Sequence, residues 1–233
     1  MIASRIPFPI TLLGLFLALV LSIEAHPFKR TILPNGIRAA SPILSDYSPV
    51  LTDGTSSLPA PTGALKYITL GRGTQNYTCA TPASTPVSIG AAAALFSVAQ
   101  LLLPALSVSQ GQAALDALPN TAVGDTVAQI AQSGLPIIGQ HSFTAAGVPT
   151  WNLFGDGLLY GSSVGDIPAP AGASAGPQGY GAVDWKALTG VAGSVGLTEV
   201  YRVETAGGKA PASCAGLGAT IQVQYAAMYW FYD

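Results

Sequence analysis

Residues 65–79, LKYITLGRGTQNYTC, carry a strand signal, a pair of glycines, a glycosylation acceptor and a cysteine in one short stretch. Residues 65–70 mix aromatic and β-branched side chains, as strands do. Gly71-Arg72-Gly73 then offers positions free to adopt φ > 0, so the expectation is a strand, a tight turn and a second strand. In that second strand a period of two puts Gln75, Tyr77 and Cys79 on one face and Asn76 and Thr78 on the other. Asn76-Tyr77-Thr78 is an N-x-T sequon, which needs water and room for a glycan, while Tyr77 and Cys79 suit a buried face.

The 233 residues include 49% hydrophobic and only 9% charged side chains, with 27 Gly and 18 Pro, a profile that suits a turn-rich exported protein with a sizeable core. A net charge of −2 gives no footprint for a phosphate backbone, so nucleic acid is not an expected partner. Residues 1–25 read as a secretory signal, with Arg5 before an apolar run over 10–23 and Ala25 before a cut. That run is too short and too interrupted for a membrane anchor. Lys29-Arg30 is a dibasic processing signal, and residues 26–57, rich in proline, read as a pro-segment and extended leader. In an exported chain, two cysteines argue for a disulfide between Cys79 and Cys214, the alternative being two free buried thiols.

Beyond the opening stretch, 87–106 reads as a buried strand passing into a short helix before Pro104. Residues 112–118 read as a helix stopped by Pro119, and 121–133 as another with Val123, Val127 and Ile130 on one face. Strand and turn signals return at HSF, at PTWNLF and across Gly155-Asp156-Gly157 into LLYGSSV. Residues 167–181 form a Pro/Gly/Ala loop, either disordered or a lid. Further strands are expected at 183–188, 197–205 and 220–232, the last apolar on both faces and therefore central. The expected architecture is one mainly β domain over 58–233, an antiparallel β-sandwich or partly closed barrel of about eight strands, with a short helical insertion at about 95–135.

The combination of GRGTQNYTC, HSFTAAGVPTW, VDW, YRVETAGGKAPASC and VQYAAMYWFY resembles a secreted fungal and bacterial family, the domain of unknown function 3455. Fungal members of that family often carry the label malate dehydrogenase. The resemblance covers roughly residues 58–232 and implies relatedness without an activity. The dehydrogenase label fails on the residues, because Gly71-x-Gly73, Gly155-x-Gly157 and Gly179-x-Gly181 all lack the third glycine of G-x-G-x-x-G and none opens a helix. No cofactor is expected.

Chemistry-bearing residues are few. His141 is the one histidine after the leader, so no metal site is expected, and it reads as a strand residue or as a ligand contact. Gly161-Ser162-Ser163-Val164-Gly165 is too widely spaced for a hydrolase elbow. Glu199 alternates with apolar Leu197 and Tyr201, where burial would raise its pKa. Trp151, Tyr160, Tyr180, Trp185 and Trp230 are candidates for stacking on sugar rings. Thr205-Ala206-Gly207-Gly208-Lys209 reads as a Gly-rich loop that turns the chain or forms an anion nest with Lys209. A disulfide there would gather Arg72, Gln75, His141, Lys209 and Glu199 near the bridge as a ligand site. The functional expectation is a secreted, cell-surface or wall-associated binding protein for a glycan or a protein. The competing expectation is a secreted hydrolase with Glu199 paired to Asp156 or Asp184.

Overall fold

A computed structural model describes residues 44–102 and 107–233. Its strands are β1 (Leu65–Thr78), β2 (Val87–Ser97), β3 (Ile137–Phe143), β4 (Pro149–Leu153), β5 (Gly157–Ile167), β6 (Trp185–Gly190), β7 (Glu199–Gly207) and β8 (Thr220–Tyr232). They follow one another in sequence order as a closed antiparallel barrel. Closure comes from β8 lying along β1 from Leu65↔Tyr232 to Thr78↔Thr220, which leaves no unpaired sheet edge. Of the two expected architectures the barrel is therefore the observed one.

The opening stretch differs from its reading in one respect: β1 is continuous, and Gly71-Arg72-Gly73 is not a turn. The glycines serve space inside the barrel. A Cβ on Gly71 would stand 2.4 Å from Tyr229 Cε2, and one on Gly73 would stand 1.9 Å from the Ala92 carbonyl oxygen. The interior they make room for is packed with Trp151, Tyr225, Tyr229, Phe231, Leu95 and Leu159, all nearly inaccessible to water. An eight-stranded barrel is about wide enough for side chains to fill, and here large rings are matched by the small Gly71, Gly73, Ala91, Ala93 and Ala227.

A second apolar layer covers part of the outer wall. The outward residues of β8, Ala226, Met228, Trp230 and Tyr232, join Leu115 and Ala122 of a helix and Tyr47 and Leu58 of the leader. That covering explains why β8 reads as apolar on both faces. The helix is α1 (Val108–Ala122), followed by α2 (Val127–Gln132). Each begins with a capping box, Ser107 with Gln110 and Thr126 with Gln129, in which side chain and backbone satisfy each other's free N–H groups. Pro119 does not stop α1 as expected. It is buried with Leu115 and Ala122, and the packing of that face against the barrel outweighs the hydrogen bond proline removes.

The expected secretory signal and the Lys29-Arg30 pair lie outside the described residues. From residue 44 the leader is bound to the barrel, with Tyr47 and Leu58 buried and Ser48 N–H donating to Gln112 Oε1 at 3.3 Å. Cys79 and Cys214 form the expected disulfide, with Cα atoms 5.7 Å apart. No helix among the described residues is long and apolar enough to cross a membrane.

Candidate functional site

The residues singled out by sequence do not converge. Arg72 and Gln75 stand on opposite faces of β1, which dissolves the proposed cluster at the disulfide. Arg72 points outward and is 4% exposed: its Nε donates to the carbonyls of Ala122 and Asp125 at 3.2 and 2.7 Å, and a terminal nitrogen donates to Gln224 Oε1. Gln75 is buried, with its amide nitrogen unpartnered among the described residues. His141 lies in the interior, stacked on Trp151 with ring centroids 4.3 Å apart, and its Nδ1–H donates to the Thr150 carbonyl at 2.9 Å. Trp151, Trp185 and Trp230 are buried, with 2%, 3% and 0% exposure, which corrects their reading as exposed surface stacking platforms.

Glu199 lies at the opposite end of the barrel from the disulfide, paired in register with Tyr232. Its carboxylate accepts from the backbone N–H and hydroxyl of Thr62, anchoring the segment before β1 rather than facing another carboxylate. Neither Asp156 nor Asp184 lines a cavity with it. Lys209 is exposed beyond β7, which runs through Thr205 to Gly207, so the expected Gly-rich loop is largely strand. Among the described residues no group of three or more His, Cys, Asp or Glu side chains could hold a metal ion.

The chemistry gathers elsewhere, at a site the sequence did not reveal. Between Val203↔Met228 and Ala206↔Ala226, Glu204 and Thr205 stand opposite the single residue Ala227, a β-bulge. Glu204 has φ +49°, and it is the one non-glycine residue at positive φ among the described residues. Such a conformation costs of order 1 kcal/mol or more and persists where surrounding contacts impose it. The bulge turns the Glu204 carboxyl to the outer wall, into a cavity of about 250 Å³ bounded by Val50, Asp116, Asn120, Trp185 and residues 170–173 of the long Pro/Gly/Ala loop.

Helix α1 supplies the facing wall through three polar residues spaced four apart, on one helical face. Gln112 accepts from Ser48 of the leader and donates to Asp116 Oδ1 at 2.7 Å. Asn120 Oδ1 accepts from Ser174 N–H at 3.1 Å and so ties the loop to the helix. Asp116, between them, lines the cavity with Glu204. The two carboxyl groups are the only ionisable side chains among the described residues lining the cavity.

Burial first, and then the charge and hydrogen bond of Asp116, push Glu204 up to about 9 from its ordinary 4.5. Without a proton, neither Glu204 oxygen has a hydrogen-bond donor among the described residues. With one, Glu204 donates to Asp116, whose other support is the amide of Gln112. Trp185, a residue 3% exposed, also lines this cavity, and its indole N–H has no acceptor among the described residues. A larger, open groove of about 450 Å³ lies along β1 to β3 near Val127, but its permanently charged residue, Arg72, is already engaged by carbonyls.

Two buried groups give the fold a defined pH profile. His141 is held down at about 3 from 6.5, chiefly by burial, so folding excludes a proton that the unfolded chain binds below 6.5. Its contribution is present above 6.5 and is lost as pH falls toward 3. Glu204 has the opposite sign: its contribution is full below 4.5 and is lost as pH rises through 9. The two slopes cancel between 4.5 and 6.5. Urea unfolding at stepped pH is expected to show a plateau there, with limbs falling by up to about 1.4 kcal/mol per pH unit on either side. Glu204→Gln should flatten the alkaline limb and let the acid slope run up to 6.5, and His141→Gln should flatten the acid limb and let the alkaline slope run down to 4.5; unchanged limbs would refute these assignments.

A family model described as "Protein of unknown function (DUF3455)" matches residues 59–233, which take in every strand of the barrel and both helices. No curated protein and no solved structure matches the chain.

Proposed function

The chain belongs to this family of proteins of unknown function, and from that premise we propose that it is an exported binding protein that takes a sugar-sized polar ligand, one unit of a glycan, in the Asp116–Glu204 cavity. The observation that carries the reading is the pairing of an unpartnered indole N–H with two half-buried carboxyl residues around about 250 Å³ of space. Sugars are held by such sets: an aromatic wall for the apolar ring face and a few fixed polar groups for the hydroxyls. The barrel interior, by contrast, is filled with aromatic side chains and offers no comparable space.

Export rests on the signal-like leader, the low charge and the disulfide. Asn76, on the outer face of β1 opposite to Gln75, is proposed as a glycosylation site of the secreted chain.

Thermal-shift titration of the whole protein with a panel of neutral, amino and acidic monosaccharides tests the proposal. At least one sugar is expected to raise Tm in the native chain, with binding about fivefold weaker in Trp185→Phe. No shift with any sugar, or equal shifts in native and variant proteins, would overturn it.

A further inference from the structure

Resting on the binding role just proposed, we propose further that the ligand of the Asp116–Glu204 cavity is an amino sugar, whose ammonium group lies between the two carboxyls and whose hydroxyl oxygen accepts from Trp185. Charge complementarity is the first argument. Two carboxyl groups, from α1 and the β7 bulge, line the cavity, and among the described residues no Lys, Arg or His lines it with them. A proton on Glu204 fills the place a cation would take, and it neutralises only one of the two groups. An ammonium carries three N–H donors and a full charge, so it can donate to both carboxylates at once.

The second argument is what an ammonium lacks. It has no acceptor, and Trp185 Nε1–H, donor only, is unpartnered in a residue 3% exposed. A ligand satisfying the whole site must therefore carry an oxygen acceptor beside its ammonium, on a skeleton that fits about 250 Å³. A monosaccharide with one free amino group has this combination, and the indole adds an aromatic wall against which a cation is favoured.

The proton balance is explicit. The amino sugar enters as the ammonium form, Glu204 releases its proton to solvent, and the resulting carboxylate pairs with the ligand. Net, one cation is taken up and one proton given off. Among the described residues Asp116 is the one other titratable group that lines the cavity with Glu204. The loop beside the cavity is fixed at Ser174, whose N–H donates to Asn120 Oδ1 at 3.1 Å and whose carbonyl accepts from Gly207 N–H at 2.8 Å.

Isothermal titration of the whole protein at pH 7, in two buffers of different ionisation enthalpy, separates the outcomes. The probes are glucosamine, glucose, N-acetylglucosamine, methylammonium and calcium ion. Glucosamine is expected to bind at least about tenfold more tightly than each of the others and to release close to one proton. Glu204→Gln should abolish the proton release, whereas Trp185→Phe should weaken binding about fivefold and leave the release intact. Asp116→Asn serves as a second variant and should weaken glucosamine alone. Glucose or N-acetylglucosamine binding as tightly as glucosamine without proton release would overturn this inference and leave the binding role standing. Methylammonium binding equally well would refute the sugar, calcium binding with proton release would make the cavity a metal site, and no binding by any probe would overturn both proposals.

Discussion

Replacing both Cys79 and Cys214 by alanine is expected to lower the unfolding free energy by about 5 kcal/mol, the loop-closure entropy returned to the unfolded chain. The size follows from the 135 residues separating the two cysteines, one of the longest loops this chain could close. The bridge is also embedded in the fold. Cys79 N–H donates to the Ala219 carbonyl and Cys214 N–H to that of Ser84, both at 2.9 Å, so the β1–β2 turn and the β7–β8 loop are held together beside it. Those backbone bonds survive the substitution, so the loss should come from the unfolded state. Urea unfolding should show a lower midpoint, and a change smaller than about 1 kcal/mol would show that the bridge constrains little.

Arg72→Met should cost about 3 kcal/mol or more and act on the helices before the barrel. The methionine keeps most of the stem and removes the charge, leaving the carbonyls of Ala122 and Asp125 and the amide of Gln224 without their donor in a largely buried setting. Ala122 is the last residue of α1, where a cation also opposes the negative end of the helix dipole. Burial lowers the pKa of Arg72, which measures the same desolvation that its carbonyl partners offset. Hydrogen exchange should accelerate first in α1 and α2 and only later in β1 and β8. Uniform acceleration, or a loss below about 0.5 kcal/mol, would contradict a clamping role.

Much of the architecture was legible, for identifiable reasons. The alternation in 220–232, broken by apolar residues on both faces, marks a strand covered twice, and β8 is covered by the barrel interior and by α1 with the leader. The disulfide followed from cysteine count alone, and the helical insertion from its period. The glycines of β1 were misread because a glycine needed for close approach looks, in sequence, like a glycine needed for a turn. What decides between them is Tyr229, more than a hundred residues away.

The candidate site was less legible still. Strict alternation from Arg202, which donates to the Asp184 carbonyl, would place Glu204 on the same face. The bulge at Glu204 and Thr205 breaks that alternation, and nothing local announces a bulge in VETAG. Asp116 was hidden for another reason: α1 continues through Pro119, so the polar spacing of Gln112, Asp116 and Asn120 spans a boundary where the helix was expected to end. Glu199 drew attention by its apolar neighbours, but Thr62, just before β1, satisfies it. In each case the deciding partner comes from a segment distant in sequence.

The account turns on Glu204 being held protonated against Asp116 in a cavity able to exchange that proton for a cation. Difference infrared spectroscopy of the carboxyl stretch in native and Glu204→Gln proteins measures this directly. The account predicts a protonated carboxyl band at pH 7 that titrates near 9, is absent in the variant, and disappears when glucosamine is added. A Glu204 carboxylate already ionised at pH 7, or a protonated band unchanged by glucosamine, would contradict it.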